Sequence, residues 1–177
     1  MSRKIKGQAA FLSDLKQAEQ YFRDASNLFM PGVSVNIVVF SYHEGEIRVL
    51  ITRLADTEYY ALPGGYVLND EDLDDAAIRI FSDWANVSEY HLEQFYTSGK
   101  ADRTSDHLIR EILSEVKSIS TSWWFDQRKI SVCYFALLNE PSIMASKIDF
   151  LVMEYKWVRL SQIPPLLFDH NLAYFRE

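Results

Sequence analysis

The chain has 177 residues, of which 48% are hydrophobic and 14% aromatic, and its formal net charge is −7. This length and composition suit one globular domain with a substantial core and exclude a disordered chain. The acidic balance argues against a broad nucleic-acid surface, which needs clustered lysine and arginine. No apolar run is long enough to span a membrane. The single Cys133 lies in an apolar run, which predicts a buried thiol in a cytoplasmic protein.

The first half of the chain predicts a helix, a hairpin, a broken strand and a second helix. Apolar residues recur at three- and four-residue steps over residues 10–29, which indicates an amphipathic helix that stops at 30–32. The β-rich runs "VSVNIVVFSY" and "IRVLITRL" flank the turn "HEGE" and predict a hairpin whose first strand is buried on both faces. The segment "YYALPGGYV" predicts a short strand broken by two glycines, and a helix over 72–85 follows.

The second half of the chain alternates strands with helices. "YHLEQFYTSG", "KISVCYFALL" and "MEYKWVRL" are typical of strands, whereas "DHLIREILSEVKS" is typical of a helix and "PPLLFDHNLAYFRE" of the start of one. Strands that are interleaved with helices, and joined partly by hairpins, indicate an α/β sandwich around a mixed β-sheet.

The segment "LPGGYVLNDEDLDDAAIRIFSDWANV" carries the clearest motif. Gly65, five residues, Glu71, seven residues and Arg79 match the first half of the pattern G-x5-E-x7-R-E-U-x-E-E-x-G-U, in which U is bulky and aliphatic, and the chain here resembles the Nudix family. In that family this segment holds Mg²⁺ or Mn²⁺, which activates water against a diphosphate. The resemblance implies a Nudix-type α/β/α sandwich and an ion pair between Glu71 and Arg79 that locks the loop onto the helix.

The second half of the motif departs from the family pattern. Ile80 and Trp84 stand where glutamates are expected, and Asp83 stands at the remaining glutamate position. One helix face carries Leu73, Ala76, Ala77, Ile80 and Trp84. We therefore predict that the face that would hold a metal is packed instead, and that the domain has no metal cofactor, because one aspartate gains too little from Mg²⁺ to displace its waters.

Local explanations for the other charges of this helix stay open. Asp75 lies four residues before Arg79 and is an alternative partner for it. The acidic residues at 70–75 are explained by the helix macrodipole, which favours negative charge near the N-terminus. Asp70 or Asn69 is the predicted N-cap.

Two further segments resemble Nudix-related transcriptional regulators. "EQFYTSGKADR" matches a strand that ends in a Gly-x-x-Asp-Arg loop, and "LLFDHNLAYFRE" matches the junction before a winged-helix module that binds DNA. Many of these regulators lack the metal glutamates and sense ADP-ribose, related nucleotides or sugars. The resemblance implies that DNA would be bound only through a C-terminal module absent from this chain. The candidate ligand-binding residues are Arg53, Lys100, Asp102, Arg103 and His170.

Each candidate also has an ordinary explanation. Arg53 and Lys100 suit plain surface charge, and His170 suits a helix cap. The aromatic residues at 123–125 predict a dimer interface, with a stacking platform for a base as the alternative.

The predicted organisation is an N-terminal helical segment over 1–32, a Nudix-like domain over 33–170 with an insertion at about 104–127, and the start of a helix over 171–177. We predict that this domain binds a nucleotide diphosphate or a sugar, without hydrolysis, as a homodimer. The alternative is an active hydrolase of nucleoside diphosphates linked to another moiety, with Mg²⁺ or Mn²⁺. A third possibility is a protein-interaction module. The hydrolase would use Glu71, Asp83, Glu111 and Glu115.

Overall fold

The computed structural model describes residues 20, 24, 27–54, 58–85, 90–100, 128–138, 152–168 and 170–173. The strands in this part of the chain are β1 (Phe29–His43), β2 (Glu46–Leu54), β3 (Tyr60–Ala61), β4 (Gly64–Leu68), β5 (Leu92–Ser98), β6 (Ile130–Leu138) and β7 (Val152–Arg159). The α-helix α1 spans Leu73–Trp84, and 3₁₀ turns span Leu160–Gln162 and His170–Ala173.

The seven strands form one mixed sheet. Its central order is β3-β2-β1-β6-β5, and β4 and β7 pair with β1 and β2 respectively. The β1–β6 pair is parallel, whereas the other pairs are antiparallel. The α/β class with a mixed sheet is therefore confirmed.

Long β1 has apolar residues buried on both faces, as predicted. Val35, Ile37 and Val39 pack with α1 and with alternate residues of β6, and we call this side of the sheet the helix face. Val38 belongs to a second cluster with Cys133 on the other side, which we call the opposite face. Because side chains alternate along a strand, each face can be followed from strand to strand through the pairing register.

Strand β1 begins where the predicted N-terminal helix ends. That helix lies mostly outside the described residues, but residues 20, 24, 27 and 28 are helical, and Phe29 already pairs with Leu68 in β4. The segment 30–32, which was predicted to stop the helix, is part of the strand. Gly32 has a φ of +76°, and the pairing register shifts between Phe29 and Ser34. A bulge at a glycine thus absorbs the irregularity without ending the strand.

Helix α1 also differs in detail from its prediction. It begins at Leu73 rather than 72, and Leu73 is 38% exposed although it was predicted on the packed face. Leu73 is the first helical residue, and the burial of this face begins one turn later, at Ala76 and Ala77. The N-cap is Asp72, which makes no side-chain capping bond, and not Asp70 or Asn69. Among the described residues, no helix is long and apolar enough to cross a membrane.

Candidate functional site

The chain enters strand β4 through Gly64 and Gly65, its first two residues, and this glycine turn approaches the central strand β1 very closely. A Cβ atom at Gly64 would lie 2.6 Å from Asn36 Oδ1 and 2.7 Å from the Val35 carbonyl oxygen, and Val35 belongs to the central strand β1. A Cβ at Gly65 would lie 3.1 Å from two side-chain carbons of Ile80. Gly64 therefore has no room for a side chain, and a side chain at Gly65 would require Ile80 to shift.

Glu71 and Arg79 form the ion pair that the motif implies. Arg79 Nε donates to Glu71 Oε1 at 2.6 Å, and Arg79 Nη2 donates to Glu71 Oε2 at 2.7 Å. Arg79 Nη2 also donates to the Tyr66 carbonyl oxygen at 2.9 Å, and the Leu68 N–H donates to Glu71 Oε2 at 3.1 Å. The bidentate pair thereby joins helix α1 to strand β4 and to the loop after it.

This arrangement stabilises the charged form of Glu71. The Arg79 hydrogen bonds, opposed by desolvation and assisted by the Leu68 N–H, lower the pKa of the Glu71 carboxyl group below its ordinary value. Both carboxylate oxygens already accept hydrogen bonds from protein donors. Glu71 therefore serves as a structural anion rather than as an open metal ligand.

The helix face that would hold a metal is packed at its centre. Ile80 is only 2% exposed and belongs to the core cluster on the helix face, together with Ala76 and Ala77. The side chain of Trp84 and the residues Glu111 and Glu115 lie outside the described part of the chain. Within the described part, no group of three or more histidine, cysteine, aspartate or glutamate side chains is placed to hold a metal ion.

One acid of the cluster at 70–75 has a tertiary partner. The Tyr134 hydroxyl group donates to Asp74 Oδ1 at 2.6 Å, which ties the first turn of α1 to strand β6. Burial, and then the hydrogen bond to Asp74, raise the pKa of Tyr134 above its ordinary value. The macrodipole explanation is thus incomplete for Asp74, because that residue also anchors the helix on the sheet.

The structure separates the two described basic candidates for ligand binding. Arg53 lies on β2, where its Nε donates to Glu154 Oε2 at 2.9 Å across the β2–β7 pair, and this bond raises the pKa of Arg53. Lys100 follows β5 and is exposed. Three strand-to-strand steps separate β2 from β5, or roughly 14 Å at about 4.8 Å a step. The other two ligand-binding candidates of the loop after β5, Asp102 and Arg103, lie outside the described residues.

His170 is buried and acts as a structural acceptor. The ring atom Nδ1 of His170 accepts the backbone N–H of Leu62 at 2.9 Å. The backbone N–H of His170 donates to the Leu167 carbonyl oxygen at 3.1 Å. The Leu167 N–H in turn donates to the Tyr60 carbonyl oxygen at 2.9 Å. The imidazole therefore takes the place of a backbone carbonyl and docks the segment after residue 165 on strand β3, next to the glycine turn.

We expect His170→Ala to lower the free energy of unfolding by about 1–3 kcal/mol, because the buried Leu62 N–H loses its acceptor. The measurement is urea unfolding at neutral pH. His91→Ala is the matched control, because His91 is exposed. An unchanged midpoint for His170→Ala, equal to that of the control, would contradict this role.

Sequence analysis missed a row of polar residues on the opposite face. Ser34 pairs with Ser131 across β1 and β6, and Ser98 pairs with Ser131 across β5 and β6. The available signal was a serine in each of the three strands: Ser34 in β1, Ser98 in β5 and Ser131 in β6. Lys129, which is 8% exposed, lies beside them.

No family model matches this chain. No curated protein sequence matches it either.

Among solved structures, the Nudix domain of Shewanella oneidensis NrtR complexed with ADP ribose is 23% identical over 86% of this chain and 91% of that chain, with a TM-score of 0.60. Full NrtR from the same organism is 25% identical with a TM-score of 0.56, and it also has a structure with a 27mer DNA. The match covers 80% of this chain but only 59% of that chain, so this chain spans less than two thirds of NrtR. A MutT/Nudix family protein from Listeria innocua is 18% identical over 80% of this chain and 88% of that chain, with a TM-score of 0.57.

Proposed function

We propose that this chain, which has the Nudix fold, binds a nucleotide diphosphate of the ADP-ribose type without hydrolysing it, as the sensor domain of a regulator. The observation that carries the proposal is the burial of Ile80 in the core, at the position where the family pattern has a glutamate. The likeness to a Nudix domain that holds ADP ribose supports the choice of ligand.

The described carboxylates of the motif support the absence of hydrolysis. Glu71 is held by Arg79 and by the Leu68 N–H, and Asp74 accepts the Tyr134 hydroxyl group. A hard divalent cation needs several oxygen ligands that can turn toward it. With Glu71 and Asp74 engaged in this way, the described part of the motif offers a poor set of ligands for Mg²⁺.

A diphosphate without a metal must be balanced by cationic side chains. Lysine and arginine supply charge-assisted hydrogen bonds to phosphate oxygens, and arginine offers two in one plane. Lys100 follows strand β5, and so does Arg103, which is predicted to bind the ligand. Lys129 precedes strand β6. The basic residues of this end of the sheet are therefore the proposed counter-charges of the ligand.

We expect ADP-ribose to raise the melting temperature of the purified chain equally with and without Mg²⁺, because a ligand that binds only the folded state stabilises it. We also expect no release of AMP above a control without protein, with either Mg²⁺ or Mn²⁺. Neutral sugars are tested in parallel, because a chain that binds nucleotide diphosphates should be stabilised by ADP-ribose and not by sugars. Turnover that disappears in Asp83→Ala would overturn the proposal and favour the hydrolase.

The regulatory assembly is the broader part of the proposal. NrtR has a structure with a 27mer DNA, and the match covers only 58% of that chain, which supports a regulator in which a domain like this one is one part of a longer protein. We propose that this chain acts as a homodimer in such an assembly. Light scattering coupled to gel filtration measures the oligomeric state of the chain directly.

A further inference from the structure

The end of the opposite face near the β1–β2 hairpin carries large apolar side chains that are exposed. Tyr42 is 61% exposed, Leu137 57%, Ile47 49% and Phe95 42%. Tyr42 pairs with Ile47 across β1 and β2, and Leu137 of β6 pairs with Phe40, two residues before Tyr42. Residues that pair in register point to the same side of a sheet, so these side chains share the opposite face.

Aromatic rings continue this surface toward strand β5. The ring centres of Phe95 and Phe135 lie 6.0 Å apart, edge to face, and Phe135 packs on the core cluster of the opposite face. We call Tyr42, Ile47, Phe95 and Leu137 the apolar patch. It crosses the neighbouring strands β2, β1, β6 and β5.

The segment after β7 covers a different part of this face. Ile163 and Leu166 of that segment belong to one cluster with Val49 and Ile51 of β2. Val49 and Ile51 are fully buried, whereas Ile47, the preceding residue of β2 on this face, belongs to the exposed patch. Within the described residues, the cover therefore ends before the patch begins.

The patch is large enough to form the centre of a protein–protein interface. Large apolar side chains have up to about 150–250 Å² of surface each, so four that are about half exposed present roughly 300–500 Å². A standard interface buries about 800 Å² a partner, of which about 56–65%, or roughly 450–520 Å², is apolar. The patch, extended by the half-buried rings of Phe40 and Phe135, therefore supplies most of the apolar area that a stable dimer needs.

Charges of opposite sign lie at the two edges of this face. Glu93 of β5 pairs with Phe135, and Lys156 of β7 pairs with Ile51, so both exposed side chains point to the opposite face. Glu93 also lies 3.1 Å from His91 Nε2 in its own chain. Strands β5 and β7 each lie two strands from β1, on opposite sides of it. A two-fold axis along β1 therefore brings Lys156 of one copy to Glu93 of the other.

We propose that the apolar patch is the interface between two copies of this chain, packed face to face about a two-fold axis along β1. A two-fold interface must complement itself, and here each copy offers a carboxylate to the ammonium group of the other. Helix α1 packs on the other side of the sheet and stays outside the interface. The inference rests on the proposed homodimer and assigns its surface.

The first test measures the dissociation constant of the dimer by light scattering over a dilution series. We expect Leu137→Glu to raise this constant by at least about 30-fold, because it places a charge in the apolar centre of the interface. Ile78→Glu is the matched control, because Ile78 is 42% exposed on helix α1, and it should stay within about twofold of wild type. Circular dichroism checks that each variant is folded, and Tyr42→Glu replaces Leu137→Glu if that variant unfolds.

A charge exchange tests the two-fold axis. We expect Glu93→Lys and Lys156→Glu each to raise the dissociation constant by about 2- to 30-fold, because each puts like charges together in both symmetric pairs. The double variant should return close to wild type, because the pairs are restored with their signs exchanged. A double variant no tighter than the single ones would overturn the proposed packing.

The outcomes separate this inference from the proposed function. A dimer that is unchanged in Leu137→Glu would overturn the inference and leave the homodimer, with residues 123–125 as the next candidate surface. A wild type that stays monomeric at every concentration would overturn the inference and the homodimer, and would leave the patch to a partner of another sequence. A wild-type dimer that Leu137→Glu dissociates supports the inference even if ADP-ribose does not bind.

Discussion

Replacing Ile80 with glutamate will lower the free energy of unfolding by about 3–5 kcal/mol, the loss typical of an uncompensated buried charge. Ile80 is 2% exposed in the core of the helix face, and two of its carbons lie 3.1 Å from the Cβ position of Gly65. A carboxylate at this position has apolar neighbours and a tight glycine turn beside it. The substitution that restores one glutamate of the family motif therefore destabilises the fold instead of creating a metal site.

Urea unfolding of Ile80→Glu beside Ile80→Val measures this effect. The valine variant controls for lost volume and should lose only about 0.5–1.5 kcal/mol. Addition of Mg²⁺ should not restore the glutamate variant, because the neighbouring carboxylates are already engaged. A glutamate variant as stable as wild type, or one rescued by Mg²⁺, would mean that position 80 opens to a polar cleft.

Arg79→Ala is expected to lower the free energy of unfolding by about 2–3 kcal/mol, between the values for exposed and buried ion pairs. The side chains of Arg79 and Glu71 are 34% and 11% exposed, so removal of the arginine leaves a mostly buried carboxylate without its bidentate partner. Arg159→Ala is the matched control. Its pair with Glu46 is equally short, at 2.6 Å, but the two side chains are 51% and 40% exposed, so the loss should be at most about 1 kcal/mol.

The same pair predicts a dependence on pH. The pKa of Glu71 is lowered in the folded state. The charged Glu71 therefore adds to the free energy of unfolding at any pH above the pKa that this residue has in the unfolded chain. This contribution is lost as the pH falls through the lower pKa of the folded state. We therefore expect the stability difference between wild type and Glu71→Gln to be full at neutral pH, to begin to fall near the ordinary glutamate pKa of about 4.3, and to disappear only as the pH passes below the lowered pKa of the folded state. A constant difference across the titration, measured by urea unfolding, would contradict a charged role for Glu71.

Much of the fold was predictable because strand and helix patterns are local. Alternating apolar residues predicted strands β1, β2, β5, β6 and β7, and the apolar residues on both sides of β1 predicted its burial on two faces. The spacing of Gly65, Glu71 and Arg79 is also local. It predicted the ion pair and, through the family resemblance, the Nudix fold.

The remaining features depend on which strands become neighbours, and only the tertiary structure decided that. His170 lies 108 residues from its partner Leu62, and Tyr134 lies 60 residues from Asp74. The serine row forms because β1, β6 and β5 align in one register, although 97 residues separate Ser34 from Ser131. No periodicity within a single strand encodes that register. The local sequence thus determined the strands, the helix and the motif, whereas long-range pairing determined which polar side chains meet on the opposite face.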